Sequence, residues 1–284
     1  MNTVSVVIPS LGKINLLKII NILNAGTIVP DEILICIPNG TELEFEIPSN
    51  SRLIYCSKRS QVAQRAKGFK YAQSEFVLQL DDDTHLSPNC LEILLETAIK
   101  CNRACAVAPA ILNEKTKRSI YENDGVKSPF NTFKNFIANG MSLYKPGAIT
   151  KVGTCFGPGF GAADSIQEVE WLAGCCVLHH RSNLIYDDYF PFKGKAYNED
   201  LIASYLYKLK SITFYVCNEA LCYTAPYIPD ETSFFELIKD LKVKRYYMIL
   251  SDKLTPRFYI YVIFKCLYDV LVSAPKRLLN KVFS

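Results

Sequence analysis

Short apolar runs alternate with longer amphipathic segments along the first third of the chain. Val4-Ser5-Val6-Val7-Ile8-Pro9 is a β-rich run stopped by proline, and Ile33–Ile37 is a second, ending in the turn signal Pro38-Asn39-Gly40. Arg52–Cys56 and Phe76–Leu80 read as two further strands. Between these runs, residues 13–25 carry apolar positions at helical spacing, closed by Gly26. Ser60–Ala72 reads as a helix, and Pro88 opens another over Asn89–Lys100 before a strand at Ala104–Ala108. Strands alternating with helices predict an α/β fold with a mostly parallel central sheet flanked by crossover helices.

The rhythm breaks after residue 110. Residues 122–165 are rich in Gly, Asn, Pro and Phe, and so long a weakly periodic stretch predicts a functional loop or lid. Order returns with a strand over Val169–Leu178, a helix around Glu199–Lys210 and a strand at Ile212–Val216.

With 284 residues, 49% apolar and 21% charged, the composition excludes a disordered or collagen-like chain. The net charge of +4 hides a split. Residues 239–284 hold ten Lys/Arg against three Asp, a local +7, so the remainder carries −3. Of the eleven cysteines, Cys36, Cys90, Cys175 and Cys176 lie in apolar runs, there is no CxxC pair, and the N-terminus has no secretory pattern. A reduced cytosolic protein is expected. The most apolar stretch, Phe258 to Val272, is too short to span a bilayer and is interrupted by Lys265 and Asp269. Basic residues amid Tyr, Phe and Leu suit an amphipathic helical tail on a membrane surface, or a helix packed on the domain with snorkelling lysines. Nothing resembles an RNP, KH or zinc-knuckle pattern, so no nucleic-acid partner is expected.

Asp81-Asp82-Asp83 follows the fourth strand, where parallel sheets place their ligands. Three adjacent carboxylates repel one another unless a cation neutralises them, and hard oxygens suit Mg²⁺ or Mn²⁺. The same run also reads as a solvated turn capping the next helix. A second pair, Glu199-Asp200, opens a helix, where it fits either favourable charge at a helix N-terminus or a general base.

VSVVIPS at 4–10, PDEILI at 30–35, QVAQRAKGFKYAQSEFVLQLDDDTHLSP at 61–88, WLAGCCVL at 171–178, YNEDLIASYLYKLK at 197–210 and NEAL at 218–221 come in the order and approximate spacing of a known family. The chain resembles the family 2 glycosyltransferases, inverting enzymes with the GT-A nucleotide-sugar fold. That resemblance implies a domain over residues 1–230, with a donor-nucleotide half at 1–110 and an acceptor half at 111–230, followed by the tail at 231–284. It implies a donor pocket lined by Pro9, Ser10 and Leu11, with Arg65 near the nucleotide. Asp81-Asp82-Asp83 matches the DxD element, Asp81 or Asp82 touching the ribose and Asp83, with Asp81, binding a divalent cation, Mn²⁺ or Mg²⁺. Glu199-Asp200 matches the ED element, Asp200 as base and Glu199 as its positioning partner. Trp171 and Gly174 would lie in a strand beside the acceptor.

Three positions depart from the pattern. Asn39 stands where the family has an aspartate after the second strand, Ser204-Tyr205-Leu206 replaces an arginine beyond the ED pair, and Thr224 replaces a histidine, leaving Lys193 or Lys195 to help hold the diphosphate. Neither His85 nor the pair His179-His180 is expected in the site. The resemblance implies an inverting hexosyl- or N-acetylhexosaminyltransferase. It would use a UDP-sugar donor and a lipid-linked glycan acceptor in surface polysaccharide synthesis, at the inner face of the membrane. A nucleotidyltransferase is disfavoured, since no glycine-rich, lysine-bearing loop follows the first strand. A catalytically weak sugar-nucleotide or glycan-binding scaffold is the alternative from another class.

Overall fold

The computed structural model describes residues 2–12, 15–122, 128–159, 165–225 and 234–275. Four β-strands expected from the apolar runs form, as β1 (Val4–Pro9), β2 (Glu32–Pro38), β3 (Ser51–Cys56) and β4 (Phe76–Leu80). They pair in parallel in the order β3-β2-β1-β4. Helices α1 (Asn15–Asn24) and α2 (Gln61–Tyr71) are their crossovers. Every residue of β1 is buried, as a strand covered on both faces requires.

Beyond β4 the sheet becomes mixed. Strands β5 (Thr84–Leu86), β6 (Cys105–Asn113), β7 (Ile166–Val169), β8 (Cys176–His180) and β9 (Thr213–Thr224) extend it. β8 lies antiparallel between β4 and β6, β6 pairs in parallel with β9, and β5 and β7 both run antiparallel to β9. Helix α3 (Cys90–Lys100) joins α1 over one face of the sheet, where Leu16, Ile20, Leu94 and Leu95 pack on β1, β2 and β4. Phe69 of α2 fills the other face with Val7, Leu34 and Val77.

Two expectations are corrected. The stretch read as a lid contains helix α4 (Pro129–Asn139). Ser128 caps it by accepting from the Asn131 amide at 3.1 Å, Pro129 sits at its first position, and Gly140 ends it with φ +67°. Its Asn and Phe content obscured the spacing of Phe130, Phe133 and Ile137. The remainder of that stretch at 123–127 and 160–164 lies outside the described residues. The second correction is at 169–178, which is two strands separated by a turn. The turn forms because the backbone of Gly174 and Cys175 is committed elsewhere, as described below.

The C-terminal segment forms α5 (Glu199–Leu209), α6 (Phe234–Leu250) and α7 (Pro256–Tyr268), with a π-helical turn at Asp269–Ser273. α6 and α7 pack against α4 and α5 through Ile137, Leu201, Leu241, Met248 and Phe258. Among the described residues no helix is long and apolar enough to cross a membrane.

Gly68 lets α2 lie close to the sheet, since a Cβ there would stand 2.4 Å from Val7 Cγ1 and 2.6 Å from Cys36 Sγ. Gly68→Ala is expected to cost about 1–3 kcal/mol through overpacking. It should lower the urea midpoint at unchanged slope; an unchanged midpoint would show that α2 can move off the strands freely.

Candidate active site

One face of α2 organises the carboxyl ends of the strands, because Gln61, Gln64, Arg65 and Gly68 recur at spacings of three and four. Gln61 donates to Asp81 Oδ1 at 2.8 Å. Gln64, buried, donates to the carbonyls of Ser10 at 2.8 Å and Cys36 at 2.6 Å, joining the ends of β1 and β2. Arg65 is 3% exposed and reaches three acceptors: Asp81 Oδ1 at 3.1 Å, Glu199 Oε1 at 2.5 Å and the Gly174 carbonyl at 3.4 Å.

Asp81 and Glu199 thus share one guanidinium although 118 positions separate them. Tyr189 also donates its hydroxyl to Glu199 Oε2. The Gly174 amide donates to Asp200 Oδ1 at 2.9 Å, and the Gly174 carbonyl also accepts from Gln79. A Cβ on Gly174 would lie 2.6 Å from Asp200 Oδ1 and 2.8 Å from Glu199 Oε1, so only glycine fits. The neighbouring Cys175 carbonyl accepts the Asp81 amide at 2.8 Å.

Three carboxylates around one arginine leave an excess of negative charge. Burial, then the charge of Glu199, pushes the Asp200 carboxyl up to about 8, against the opposing pull of Arg65 and the Gly174 amide. Burial pushes Asp81 up to about 6 against the pull of Arg65. Burial works against the charge on Arg65 itself, but Glu199 and Asp81 more than offset it and hold the guanidinium charged.

A cleft of about 550 Å³ opens in front of this network. Pro9, Ser10 and Leu11 line it with Asp81, Asp82 and Asp83, as do Arg59 and Lys195. The Ser10 hydroxyl donates to Asp82 Oδ2 at 2.6 Å and accepts the Gly12 amide at 3.0 Å. Asp83 is exposed and receives the Thr84 hydroxyl at 3.4 Å. The three aspartates therefore differ: Asp81 is neutralised from behind, Asp82 is tied to β1, and Asp83 faces solvent. Among the described residues no three His, Cys, Asp or Glu side chains converge as a metal cage. An exposed carboxylate beside a cleft with cationic walls instead fits a hard divalent cation that takes its other oxygens from a bound phosphate group and water.

Four expected roles need correction. Arg65 does not line the cleft; it is buried behind it and both its terminal nitrogens are engaged. Asn39 lies exposed in the turn after β2, its amide bound to the Cys56 carbonyl at 2.8 Å, and it too is outside the cleft lining. Trp171 has no open ring face: it is 8% exposed, donates Nε1 to the Phe156 carbonyl at 2.8 Å and meets Tyr121 edge-on at 6.0 Å. Gly174 and Trp171 lie in the turn between β7 and β8, where Gly174 acts through its backbone. His85 faces Glu114 at 3.4 Å outside the cleft lining, and His179, buried against Tyr207, lines a small pocket beside Glu199 and Asp200.

Sequence reasoning missed Arg59, Gln61, Gln64 and Tyr189. Arg59 was within reach, since it follows the carboxyl end of β3. It also missed two residues of α6. Tyr197 donates its hydroxyl to Glu236 Oε1 at 2.5 Å, and Asn198, held at φ +48°, donates Nδ2 to Asp240 Oδ1 at 2.5 Å. Lys244, itself buried, completes that contact at 2.9 Å from Asp240 Oδ2. α6 therefore grips the loop that carries Lys195 to the cleft and runs directly into Glu199-Asp200.

The raised Asp200 carboxyl has a stability consequence. The unfolded chain releases that proton near pH ~4, while the folded chain holds it to about 8. Stability is therefore lost as pH rises through that window, and the full cost remains above it. Asp200→Asn keeps an acceptor for the Gly174 amide and removes the cost. It should raise the melting temperature at alkaline pH and leave it nearly unchanged at acid pH; equal effects at both would show that the carboxylate is not desolvated.

Residues 42–158 match the family model described as glycosyl transferase family 2. No curated protein matches the chain. Among solved structures, GalNAc-T7 with UDP, GalNAc and Mn²⁺ superposes with a TM-score of 0.56 at 14% identity, covering 81% of this chain. The match spans 44% of the GalNAc-T7 chain. Residues 1–349 of S. aureus TarS match with a TM-score of 0.51 at 14% identity, covering 96% of this chain and 73% of that one. The TarS complex with UDP-GlcNAc gives 0.51 at 14%, over 87% and 66%. Residues 42–158 are thus similar to glycosyl transferase family 2, and the chain has the GT-A fold of these structures.

Proposed function

We propose that the chain is an inverting glycosyltransferase that moves a sugar from a nucleoside-diphosphate donor to a hydroxyl of a glycan. The observation that carries this reading is Arg65. It joins Asp81 of the acidic turn after β4, which lines the 550 Å³ cleft, to Glu199 of the acidic pair of α5, which lies with Asp200 behind that lining. UDP with Mn²⁺ in the GalNAc-T7 structure and UDP-GlcNAc in the TarS structure support a UDP-sugar and a divalent cation.

In this reading Pro9, Ser10 and Leu11 hold the nucleoside, while Arg59 and Lys195 face the diphosphate. Asp83, with the unused Oδ2 of Asp81, would hold the cation, which when bound offsets charge on the departing diphosphate. Asp200 takes the proton of the acceptor hydroxyl as its oxygen bonds to the anomeric carbon and the bond to the diphosphate oxygen breaks. One in-line displacement inverts that carbon. Glu199, saturated by Arg65 and Tyr189, fixes the start of α5 and keeps Asp200 aimed. The finer reading is a lipid-linked acceptor in surface polysaccharide synthesis at the inner face of the membrane, with residues 239–284 in contact with the bilayer.

Thermal shift with a panel of nucleoside diphosphates, with and without Mn²⁺, tests the assignment. One nucleotide should raise the melting temperature in a metal-dependent way, and Asp83→Asn should remove the metal dependence. Asp200→Asn should keep the shift and slow transfer by about 10²–10⁴-fold. Absence of any nucleotide response would end the proposal, and transfer surviving in Asp200→Asn would reassign the base.

A further inference from the structure

Helix α7 is apolar on both sides. Phe258 and Tyr261 are buried against its neighbours. The opposite side, continued by the π-helical turn, leaves Ile260, Ile263, Leu267, Val270 and Leu271 between 56% and 71% exposed. Steps of three and four place these five side chains in one stripe. No charge interrupts it, since Asp269 is buried and Lys265 is only half-exposed off its line.

Helix α4 widens this stripe into a face. Phe130, Phe133 and Phe136 are 43–55% exposed, and two of these rings touch α7: Phe130 meets Tyr268 at 5.4 Å and Phe133 meets Phe264 at 5.9 Å. Arg257 ties the end of α4 to the start of α7, donating Nη1 to the carbonyls of Phe136 at 2.8 Å and Ile137 at 3.1 Å. We propose that this joint face of α4 and α7 docks on a phospholipid bilayer bearing anionic headgroups, its aliphatic stripe and phenylalanines entering the acyl boundary. The proposal deepens the transferase reading and rests on it only for the lipid-linked acceptor that docking would bring within reach.

The charges around the face select the occupant. Lys134 is exposed on α4 between Phe133 and Phe136, and exposed Lys253 and partly exposed Arg257 outnumber the exposed Asp252 at the start of α7. Lys239, Lys242 and Arg245 are exposed on α6, which packs with α7. A second copy joined by two-fold symmetry would set these cations against their own images, which is unfavourable. Anionic headgroups over an inserted apolar stripe neutralise them. The docking element is therefore two helices from distant parts of the chain, not the tail alone.

Flotation of the full chain with phosphatidylcholine–phosphatidylglycerol vesicles, against pure phosphatidylcholine, is the test. The wild type should float with the anionic vesicles. Ile263→Glu with Leu267→Glu, and separately Phe133→Glu, should each cut partition about ten-fold or more. Nucleotide response should stay unchanged in all of them, and Phe133→Leu, which keeps the packing on Phe264 and stays apolar, should retain flotation. Retained flotation in both variants would overturn the proposal, as would a loss confined to the α7 pair, which would make the tail alone the anchor. A wild type that ignores vesicles but forms oligomers dissolved by the same substitutions would make the face a protein interface. Vesicle binding without any nucleotide response would count against the transferase reading and leave the docking face intact.

Discussion

Burying Arg65 takes one guanidinium out of water and surrounds it with Asp81, Glu199 and the Gly174 carbonyl. Such an arrangement persists only if every partner is in place, because losing one member of a buried ion pair typically costs about 3–5 kcal/mol. That constraint fixes the turn after β4, the start of α5 and the turn between β7 and β8 relative to one another. It also requires glycine at 174, where the backbone supplies one bond to Asp200 and accepts others from Gln79 and Arg65. Burial of the carboxyl, reinforced by the neighbouring charge of Glu199, is what raises Asp200 toward neutral pH.

The C-terminal hairpin belongs to the same device. Glu236 and Asp240 of α6 hold Tyr197 and Asn198, the two residues before Glu199, and Asn198 takes a left-handed conformation that asparagine tolerates better than other non-glycine residues. α7 in turn packs on α4 and α6 around Phe258 and Tyr261. Contiguous packing therefore runs from the exposed apolar face to the loop bearing Lys195. The helices that carry that face also hold, through α6, the loop that brings Lys195 to the cleft.

Much of the parallel half of the fold was legible in the chain. The runs ending at Pro9, Pro38 and Leu80 are mostly apolar, as strands covered on both faces are, and a triple aspartate follows the last one. The pairing of β8 between β4 and β6 was not legible, because antiparallel insertion leaves no local pattern distinguishing it from another buried strand. α4 was missed since its apolar residues are mostly phenylalanines that stay exposed, diluted by asparagines.

Sequence alone determined which side chains could carry charge chemistry and at which strand and helix ends they would stand, because those ends follow from local periodicity. Only the tertiary structure decided what each does. Arg65 stands behind the cleft and not in it, Trp171 is a wedge and not a platform, and Asp81, Asp82 and Asp83 have three different environments. The reason is that burial and ion pairing depend on residues more than a hundred positions away, such as Glu199 for Arg65. No local spacing encodes that distance.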